Sequence, residues 1–317
     1  MRVTSVTGGP LCAASGFVYL SFYKTGAELK PCSDGFTRPR AGTGTDERTD
    51  GAVAERVRLD VEDRVATVRL DHPPLNVFDT EMREALTAVV ARLADAEDVH
   101  VVVLAGNERA FSVGAEVDGL AAMGFEEIWS WNRVLQRTFT EVAALPMPVV
   151  AAVDGYALGG GMELALCADH RTAGERAVFA LPEVQLGILP GSGGTQRLSR
   201  LVGPSRAKEL LMTGRRVHSD EATAIGLADR VVPAGTAVEE AQRFARKLAA
   251  GPRFALQAVK LAVDQGTNGS LESGLALERS LIAGLFATRD RDAGMRSFLR
   301  DGPGKARFGD PAPDASG

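Results

Sequence analysis

Two short segments near residue 60 alternate apolar and polar side chains, as strands with one buried face do. Residues 56–61 and 65–70 show this pattern on either side of an acidic pair and predict a β-hairpin. From Asp79 the apolar spacing becomes helical, and we expect a helix that runs to about Ala96. The apolar positions of this helix are Met82, Leu86, Val89, Val90 and Leu93.

Two runs of consecutive apolar residues, 101–104 and 149–153, predict strands that are buried on both faces. Each strand leads to a segment that contains glycine, 111–115 after the first strand and 154–161 after the second. The first of these segments is expected to be a loop. A helix is expected to begin near Met162, directly after the second segment.

The remainder of the chain is predominantly helical in its pattern. Helical spacing predicts one helix through Trp129, between the two buried strands. Beyond Leu189 it predicts helices over residues 206–212, 219–226, 237–250, 254–265, 271–286 and 289–299. Strands that alternate with helices and are followed by a helical end predict an α/β layer with a C-terminal helical appendage.

Both ends of the chain differ in composition from this ordered part. Residues 1–52 are expected to form a flexible extension, and residues 33–52 within it are rich in Gly, Thr, Asp, Arg and Pro. Residues 3–23 carry no charge, but they are rich in Gly, Pro, Ser and Thr, so we expect neither a membrane span nor an export signal. Residues 311–317 are expected to be a frayed tail.

Charge and cysteine content exclude several classes of protein. Lys and Arg total 36 against 41 acidic residues, and a net charge of −5 argues against a nucleic-acid partner. The three cysteines, Cys12, Cys32 and Cys167, are too few and too scattered for a disulfide framework or a zinc site. We therefore expect a cytoplasmic protein with no metal site and no contact with a membrane.

The first candidate for chemistry is the glycine run before the helix near Met162. Three glycines, Gly159 to Gly161, let the backbone approach a ligand closely, and the N–H groups at a helix start can bind an anion or a developing oxyanion. A dinucleotide fingerprint fails, because Leu164 occupies the position of its last glycine. A tight strand–helix joint without chemistry is the alternative.

The second candidate is the segment 111–116, which also follows a buried strand. It offers a second N–H that could converge with the first, and two backbone donors on one oxygen form an oxyanion hole. Ser112 and Ser192 each lack the first glycine of the serine-hydrolase motif G-x-S-x-G. The four histidines are scattered and have no evident nucleophile partner, so a catalytic triad is disfavoured.

The third candidate is a pair of glutamates in apolar surroundings, Glu163 and Glu183. A buried carboxylate is costly unless it is paired, protonated or functional, and burial raises its pKa toward the range useful for proton transfer. Either glutamate alone could equally form a buried salt bridge or extend to the surface. Two carboxylates beside two candidate N–H donors favour acid/base chemistry next to a carbonyl group.

Two segments of the chain carry a family resemblance. DGYALGGGMELA at 154–165 and PEVQLGILPGSGGTQRL at 182–198 closely resemble signatures of the enoyl-CoA hydratase/isomerase (crotonase) superfamily. The resemblance covers residues 55–310, about five-sixths of the chain. It implies the α/β crotonase (ClpP-like) fold, a spiral of ββα repeats over residues 53–250. It also implies that residues 251–310 form a helical trimerisation region, in a homotrimer or a hexamer made of two trimers.

The resemblance also implies an activity and a set of roles. The activity is the addition of water to the 2,3 double bond of a trans-2-enoyl-CoA thioester, which gives 3-hydroxyacyl-CoA. The amides of Ala115 and Gly160 would form the oxyanion hole. Glu163 would act chiefly as the base toward water and Glu183 chiefly as the proton donor to C2. Coenzyme A is part of this substrate, so no separate cofactor is implied.

Further residues are implied to contact the substrate or its CoA moiety. They are Leu75, Val77, Arg109, Ala110, Ser112, Gly114, Glu116, Val117, Tyr156, Leu158, Gly159, Pro182, Gly191 and Lys305. Arg109 and Lys305 lie where the family uses basic residues near the CoA phosphates, whereas Glu116 departs from the Asp that the family usually has. Positions where the family often forms the wall of its acyl pocket are Met123, Phe125, Trp129 and Trp131. Core packing is the alternative for the two tryptophans.

Other functions stay open at this point. Within the same fold, the chain could be a Δ3,Δ2-enoyl-CoA isomerase or another acyl-CoA lyase, although possession of both glutamates favours hydration. In a different class, it could be a non-catalytic acyl-CoA-binding or RNA-binding relative, which the two glutamates and the negative charge disfavour.

Overall fold

The structure, a computed structural model, describes residues 56–309. The predicted extension over 1–52 and the predicted tail over 311–317 lie outside these described residues. Across residues 56–309, no helix combines the length and the apolar character needed to cross a membrane.

The described part of the chain alternates strands and helices and then ends in helices. The strands are β1 (Val57–Glu62), β2 (Val65–Leu70), β3 (Val101–Ala105), β4 (Ala110–Ser112), β5 (Val149–Val153), β6 (Tyr156–Leu158), β7 (His170–Gly174), β8 (Val178–Ala180), β9 (Val217–His218) and β10 (Arg230–Val232). The α-helices are α1 (Thr80–Ala94), α2 (Val117–Ala121), α3 (Phe125–Ala143), α4 (Gly160–Ala165), α5 (Gly194–Val202), α6 (Pro204–Thr213), α7 (Ser219–Ala224), α8 (Ala237–Ala249), α9 (Arg253–Gly266), α10 (Leu271–Leu285) and α11 (Arg289–Asp301). A 3-10 helix covers Pro182–Leu186.

The strands form two sheets. The larger sheet has the order β1-β2-β3-β5-β7-β10, and all its pairs are parallel except the β1–β2 hairpin, which confirms the predicted hairpin. The smaller sheet has the order β4-β6-β8-β9, in which β4, β6 and β8 run parallel. From β3 to β8, successive strands of the chain therefore alternate between the two sheets, with β3, β5 and β7 in the larger sheet and β4, β6 and β8 in the smaller sheet. This alternation, with helices after the strand pairs, confirms the predicted spiral of ββα repeats.

Both faces of the central strands β3 and β5 of the larger sheet are buried, as their continuous apolar sequences require. On one face, Val101, Val103 and Val150 pack against α8. The helix presents an alanine at every fourth position, Ala237, Ala241, Ala245 and Ala249, which lets it lie close to the sheet. On the other face, the alternate strand residues join the main core with α1, α3 and the residues of α4.

The predicted helices agree with the structure more closely than the predicted strands do. Helix α1 begins after Asp79, whose carboxylate accepts a hydrogen bond from the Met82 N–H at 2.7 Å and thereby caps the helix. Helices α6 to α11 occupy the six segments predicted beyond Leu189, within a few residues at each end. Helix α4 begins at Gly160, slightly before the expected start near Met162.

Several short elements were not predicted, and one prediction was wrong. The segment 111–115 was expected to be a loop, but its first two residues belong to β4. Strands β6 to β10, helices α2 and α5 and the 3-10 helix have no counterpart among the predicted elements. Strands of two to five residues carry too little alternation to be recognised, because their pairing partners are supplied by distant parts of the chain.

Helix α4 lies so close to β4 that one position between them accepts only glycine. A Cβ atom on Gly161 would lie 2.8 Å from the Ser112 Cβ and closer still to the Ser112 carbonyl oxygen. A Cβ atom on the adjacent Gly160 would meet nothing nearer than 3.5 Å, an ordinary contact distance. A side chain as small as that of alanine therefore fits at position 160 but not at position 161.

We expect Gly161→Ala to lower the free energy of unfolding by about 1–3 kcal/mol, the usual cost of overpacking a core. Gly160→Ala is the matched control and should leave that free energy nearly unchanged, because its Cβ has room and alanine favours a helix. Urea unfolding of the two variants and the wild type measures the difference. Equal stability of all three proteins would contradict the close approach of α4 to β4.

Candidate active site

A cavity of about 830 Å³ lies between α3 and the loops before α4 and α5. Its lining includes both predicted glutamates, Glu163 and Glu183, and both predicted amide donors, Ala115 and Gly160. Residues that are far apart in the sequence are thus brought to one cavity.

The smaller sheet explains how three of these four residues meet. Ala115 follows β4, Gly160 follows β6, and Glu183 follows β8, and these three parallel strands are neighbours in that sheet. The carboxyl ends of parallel strands lie at the same edge of a sheet, which is where α/β proteins commonly bind ligands. Each repeat of the spiral therefore delivers one group to the same edge.

Glu163 lies in α4, and the residue is only 3% exposed. Its Oε1 accepts hydrogen bonds from the backbone N–H groups of Ser192 and Gly194, each at 2.7 Å. Burial raises the pKa of this carboxyl group, whereas the two N–H donors and the charge of Arg197 oppose that rise. Oε2 accepts no hydrogen bond within residues 56–309, so one oxygen is anchored and the other is left for a ligand.

Glu183 is the second residue of the 3-10 helix, directly after Pro182. Burial, with a further contribution from the nearby Glu163 charge, raises the pKa of Glu183 to about 7. Its Oε2 is buried and has no hydrogen-bond partner among the described residues. A carboxyl group with this pKa can hold a proton near neutral pH and can also release it.

The two amide donors sit on backbone segments that touch each other. A Cβ atom on Gly114 would lie 2.8 Å from the Gly160 nitrogen, and one on Gly160 would lie 3.9 Å from the Ala115 nitrogen. Gly160 is the first residue of α4, so its N–H has no acceptor within the helix. Within residues 56–309, neither this N–H nor that of Ala115 donates to another protein group.

A buried asparagine and serine hold the first of these segments in place. The Asn76 side chain donates to the carbonyl oxygens of Ala110 and Phe111 at 3.0 and 3.1 Å. The Ser112 hydroxyl donates to the Asn76 carbonyl oxygen at 2.6 Å and accepts from the Gly114 N–H at 3.1 Å. Because Ser112 is fully buried in these bonds, its hydroxyl supports the loop and is not arranged as a nucleophile.

Sequence reasoning assigned no role to three residues that hold the loop before α5. Asn132 and Gln136, one turn apart on α3, both donate to the Gly191 carbonyl oxygen, at 3.0 and 3.1 Å. Arg197 donates to the Ser192 carbonyl oxygen at 3.0 Å. The spacing of Asn132 and Gln136 places them on one helix face, but nothing in the sequence indicates which loop that face meets.

The predicted contact residues divide into two groups. Those that line the cavity are Val117, Gly159, Pro182 and Gly191. Those outside its lining are Leu75, Val77, Arg109, Ala110, Ser112, Gly114, Glu116, Tyr156, Leu158 and Lys305. Arg109 and Lys305 are exposed to solvent, and their contact with CoA phosphates stays a prediction. Among the residues expected at the acyl pocket, Phe125, Trp129 and Trp131 line the cavity and Met123 does not.

Comparison with known proteins identifies the family of this chain. Residues 60–310 match the family model described as enoyl-CoA hydratase/isomerase. The chain is 36% identical over 251 residues to the crotonyl-CoA hydratase of Syntrophomonas wolfei, an alignment that covers 77% of this chain and 95% of the relative. It is also 36% identical over 247 residues to the mitochondrial enoyl-CoA hydratase of Pongo abelii, which covers 78% and 84% of the two chains.

A solved structure shows the same fold. The crystal structure of enoyl-CoA hydratase from Bacillus anthracis superimposes with a TM-score of 0.75 at 36% sequence identity, and the match covers 77% of this chain and 96% of that one. The match to the family model spans about four-fifths of the chain and contains all four residues that converge on the cavity. The chain therefore belongs to the enoyl-CoA hydratase/isomerase family.

Proposed function

We propose that this protein hydrates trans-2-enoyl-CoA thioesters to 3-hydroxyacyl-CoA. The observation that carries the proposal is the presence of two carboxyl groups and two unused amide donors at one cavity. Relatives named as enoyl-CoA and crotonyl-CoA hydratases support the same reaction. A hydratase needs all four groups, because it must polarise a carbonyl group, hold a water molecule and deliver a proton.

The thioester oxygen would accept hydrogen bonds from the N–H groups of Ala115 and Gly160. As water attacks C3, negative charge moves onto this oxygen, and donors that are already in place stabilise it without reorganisation. Gly160 is also the first residue of α4, and the N-terminal end of a helix carries partial positive charge that favours an anion. Helix α4 is short, with six residues.

The two glutamates would divide the proton transfers. Glu163, ionised and anchored through Oε1, accepts a proton from the attacking water as its hydroxyl group bonds to C3. Glu183, with its pKa near 7, donates its proton to C2. The net result is the addition of one H and one OH to the double bond, after which a proton passes from Glu163 back to Glu183.

We also propose that the protein assembles as a homotrimer or a dimer of trimers through residues 251–310. Helices α9 to α11 carry exposed apolar side chains, which a partner subunit would cover. The largest exposed fractions among them belong to Leu271, at 78%, and Leu299, at 85%. The cytoplasmic location expected from the sequence stays a prediction.

We expect Glu163→Gln and Glu183→Gln each to lower kcat for crotonyl-CoA hydration by a hundredfold or more, roughly the contribution of general acid–base catalysis. Glutamine cannot exchange the proton, but its Oε1 at position 163 can still accept from Ser192 and Gly194. The double variant should be scarcely worse than either single variant, since both groups serve one water. Loss of the conjugated-thioester absorbance measures the rate, and calorimetry measures binding, which should persist.

Retention of near wild-type hydration by Glu163→Gln would remove this residue from the mechanism. Faster conversion of a 3-enoyl-CoA than hydration of the 2-enoyl-CoA by the wild type would favour an isomerase, which can move a proton with one carboxylate.

The two carboxyl groups also predict a bell-shaped dependence of kcat/KM on pH. Activity should fall as pH rises above about 7, because Glu183 then loses the proton that it must donate. It should fall again on the acid side, because Glu163 must be ionised to accept a proton, and burial raises the pKa of Glu163 as well. The two apparent pKa values belong to the coupled pair. A rate that rises steadily from neutral to alkaline pH would contradict these roles.

The amide donors can be tested by removing one of them. Gly160→Pro deletes an N–H at the first position of a helix, where proline is tolerated, and should lower kcat by about two to three orders of magnitude. Gly160→Ala retains the N–H and should lose far less activity. Wild-type kcat in a folded Gly160→Pro protein, with folding checked by circular dichroism, would show that this N–H is not used.

A further inference from the structure

One wall of the cavity carries a positive charge among apolar side chains. Helix α3 contributes Phe125, Ile128 and Trp129 to this wall, and it also contributes Arg133, one turn after Trp129. Within the lining, the charged groups are this guanidinium and the two glutamates. The proposed proton transfers use both glutamates, but they give no role to Arg133.

Arg133 has no acidic partner in the described part of the chain. No hydrogen bond or ion pair of its guanidinium occurs within residues 56–309. Its neighbours one turn away on the helix are Trp129, Ser130, Gln136 and Arg137, and none of them is acidic. The next arginine of the same helix, Arg137, instead donates to Glu141 at 2.7 Å.

The surroundings of Arg133 have a chemical consequence for what fills the cavity. Arg133 is exposed to solvent at this wall, so a purely apolar acyl chain placed against it would displace part of its hydration and supply no acceptor for the guanidinium. An acyl chain that ends in a carboxylate would bury its methylene groups against Phe125 and Trp129 and would present two acceptor oxygens to the guanidinium.

We propose that Arg133 binds a terminal carboxylate of the acyl group, so that the preferred substrates are 2-enoyl-CoA thioesters of dicarboxylic acids. This inference rests on the proposed hydratase function and names the class of its substrate. Arg133 contacts the far end of the acyl group and takes no part in the proton transfers. It therefore acts on substrate binding, which appears in KM more than in kcat.

The test compares each monocarboxylic 2-enoyl-CoA with the ω-carboxy thioester of the same chain length. For at least one length, the wild type should hydrate the ω-carboxy substrate with the higher kcat/KM. Arg133→Met keeps a flexible apolar stem like that of the arginine side chain but removes the charged guanidinium. It should raise KM for that substrate about tenfold, the effect of one charge-assisted hydrogen bond that is partly exposed. Its KM for the monocarboxylic substrate should not rise.

Arg137→Met is the matched control, since Arg137 lies one turn away on the same helix and is outside the cavity lining. It should leave both KM values unchanged. The preference of the wild type should also shrink as salt is added, because the ion pair is partly exposed to solvent.

The outcomes separate the two proposals. If the wild type hydrates both series without preference at any length, or if Arg133→Met weakens both series equally, the role of Arg133 is refuted and the hydratase function stands. If the wild type hydrates neither series, the hydratase function itself is refuted, and the substrate class falls with it.

Discussion

The candidate site depends on keeping one carboxyl group, that of Glu163, inside the protein. A carboxylate that is 3% exposed would ordinarily be neutralised or excluded from such a position. Two backbone N–H groups on a single oxygen make its ionised form tolerable there, and they come from a loop that starts almost thirty residues further along the chain. The loop must therefore keep its shape for the proposed base to remain a base, which explains why side chains from α3 and α5 hold it.

The repeated strands of the fold supply the other groups of the candidate site. Three short parallel strands end side by side, and each is followed by one of the groups that the proposed reaction uses: Ala115, Gly160 and Glu183. The close packing of α4 on β4 brings the backbone segments of the first two into contact, and glycine at position 161 is what permits it. Site geometry and core packing are thus set by the same contacts.

Sequence patterns predict the elements whose conformation is determined by nearby residues, and they miss the elements that depend on distant parts of the chain. Helix α1 and the β1–β2 hairpin are determined by local spacing and a local cap, and both were predicted. Strands β4, β6 and β8 are three residues long and owe their conformation to one another, so their pattern is invisible in isolation. The glutamates could be found because a charge in an apolar segment is conspicuous. Asn132 could not be found in this way, because a polar residue on a helix gives no sign of a role until its partner, Gly191, is known.

The hydrogen bonds from Asn132 and Gln136 to Gly191 have a consequence for how substrate range can change in this protein. The helix that lines one wall of the cavity also restrains the loop whose two amides oppose the rise that burial causes in the pKa of Glu163. A substitution that shifts α3 to admit a different acyl group therefore also perturbs the proposed base. Under the proposed function, selectivity and turnover would both depend on this one helix, so variants with an altered substrate range would have to preserve the position of α3 while they change its surface.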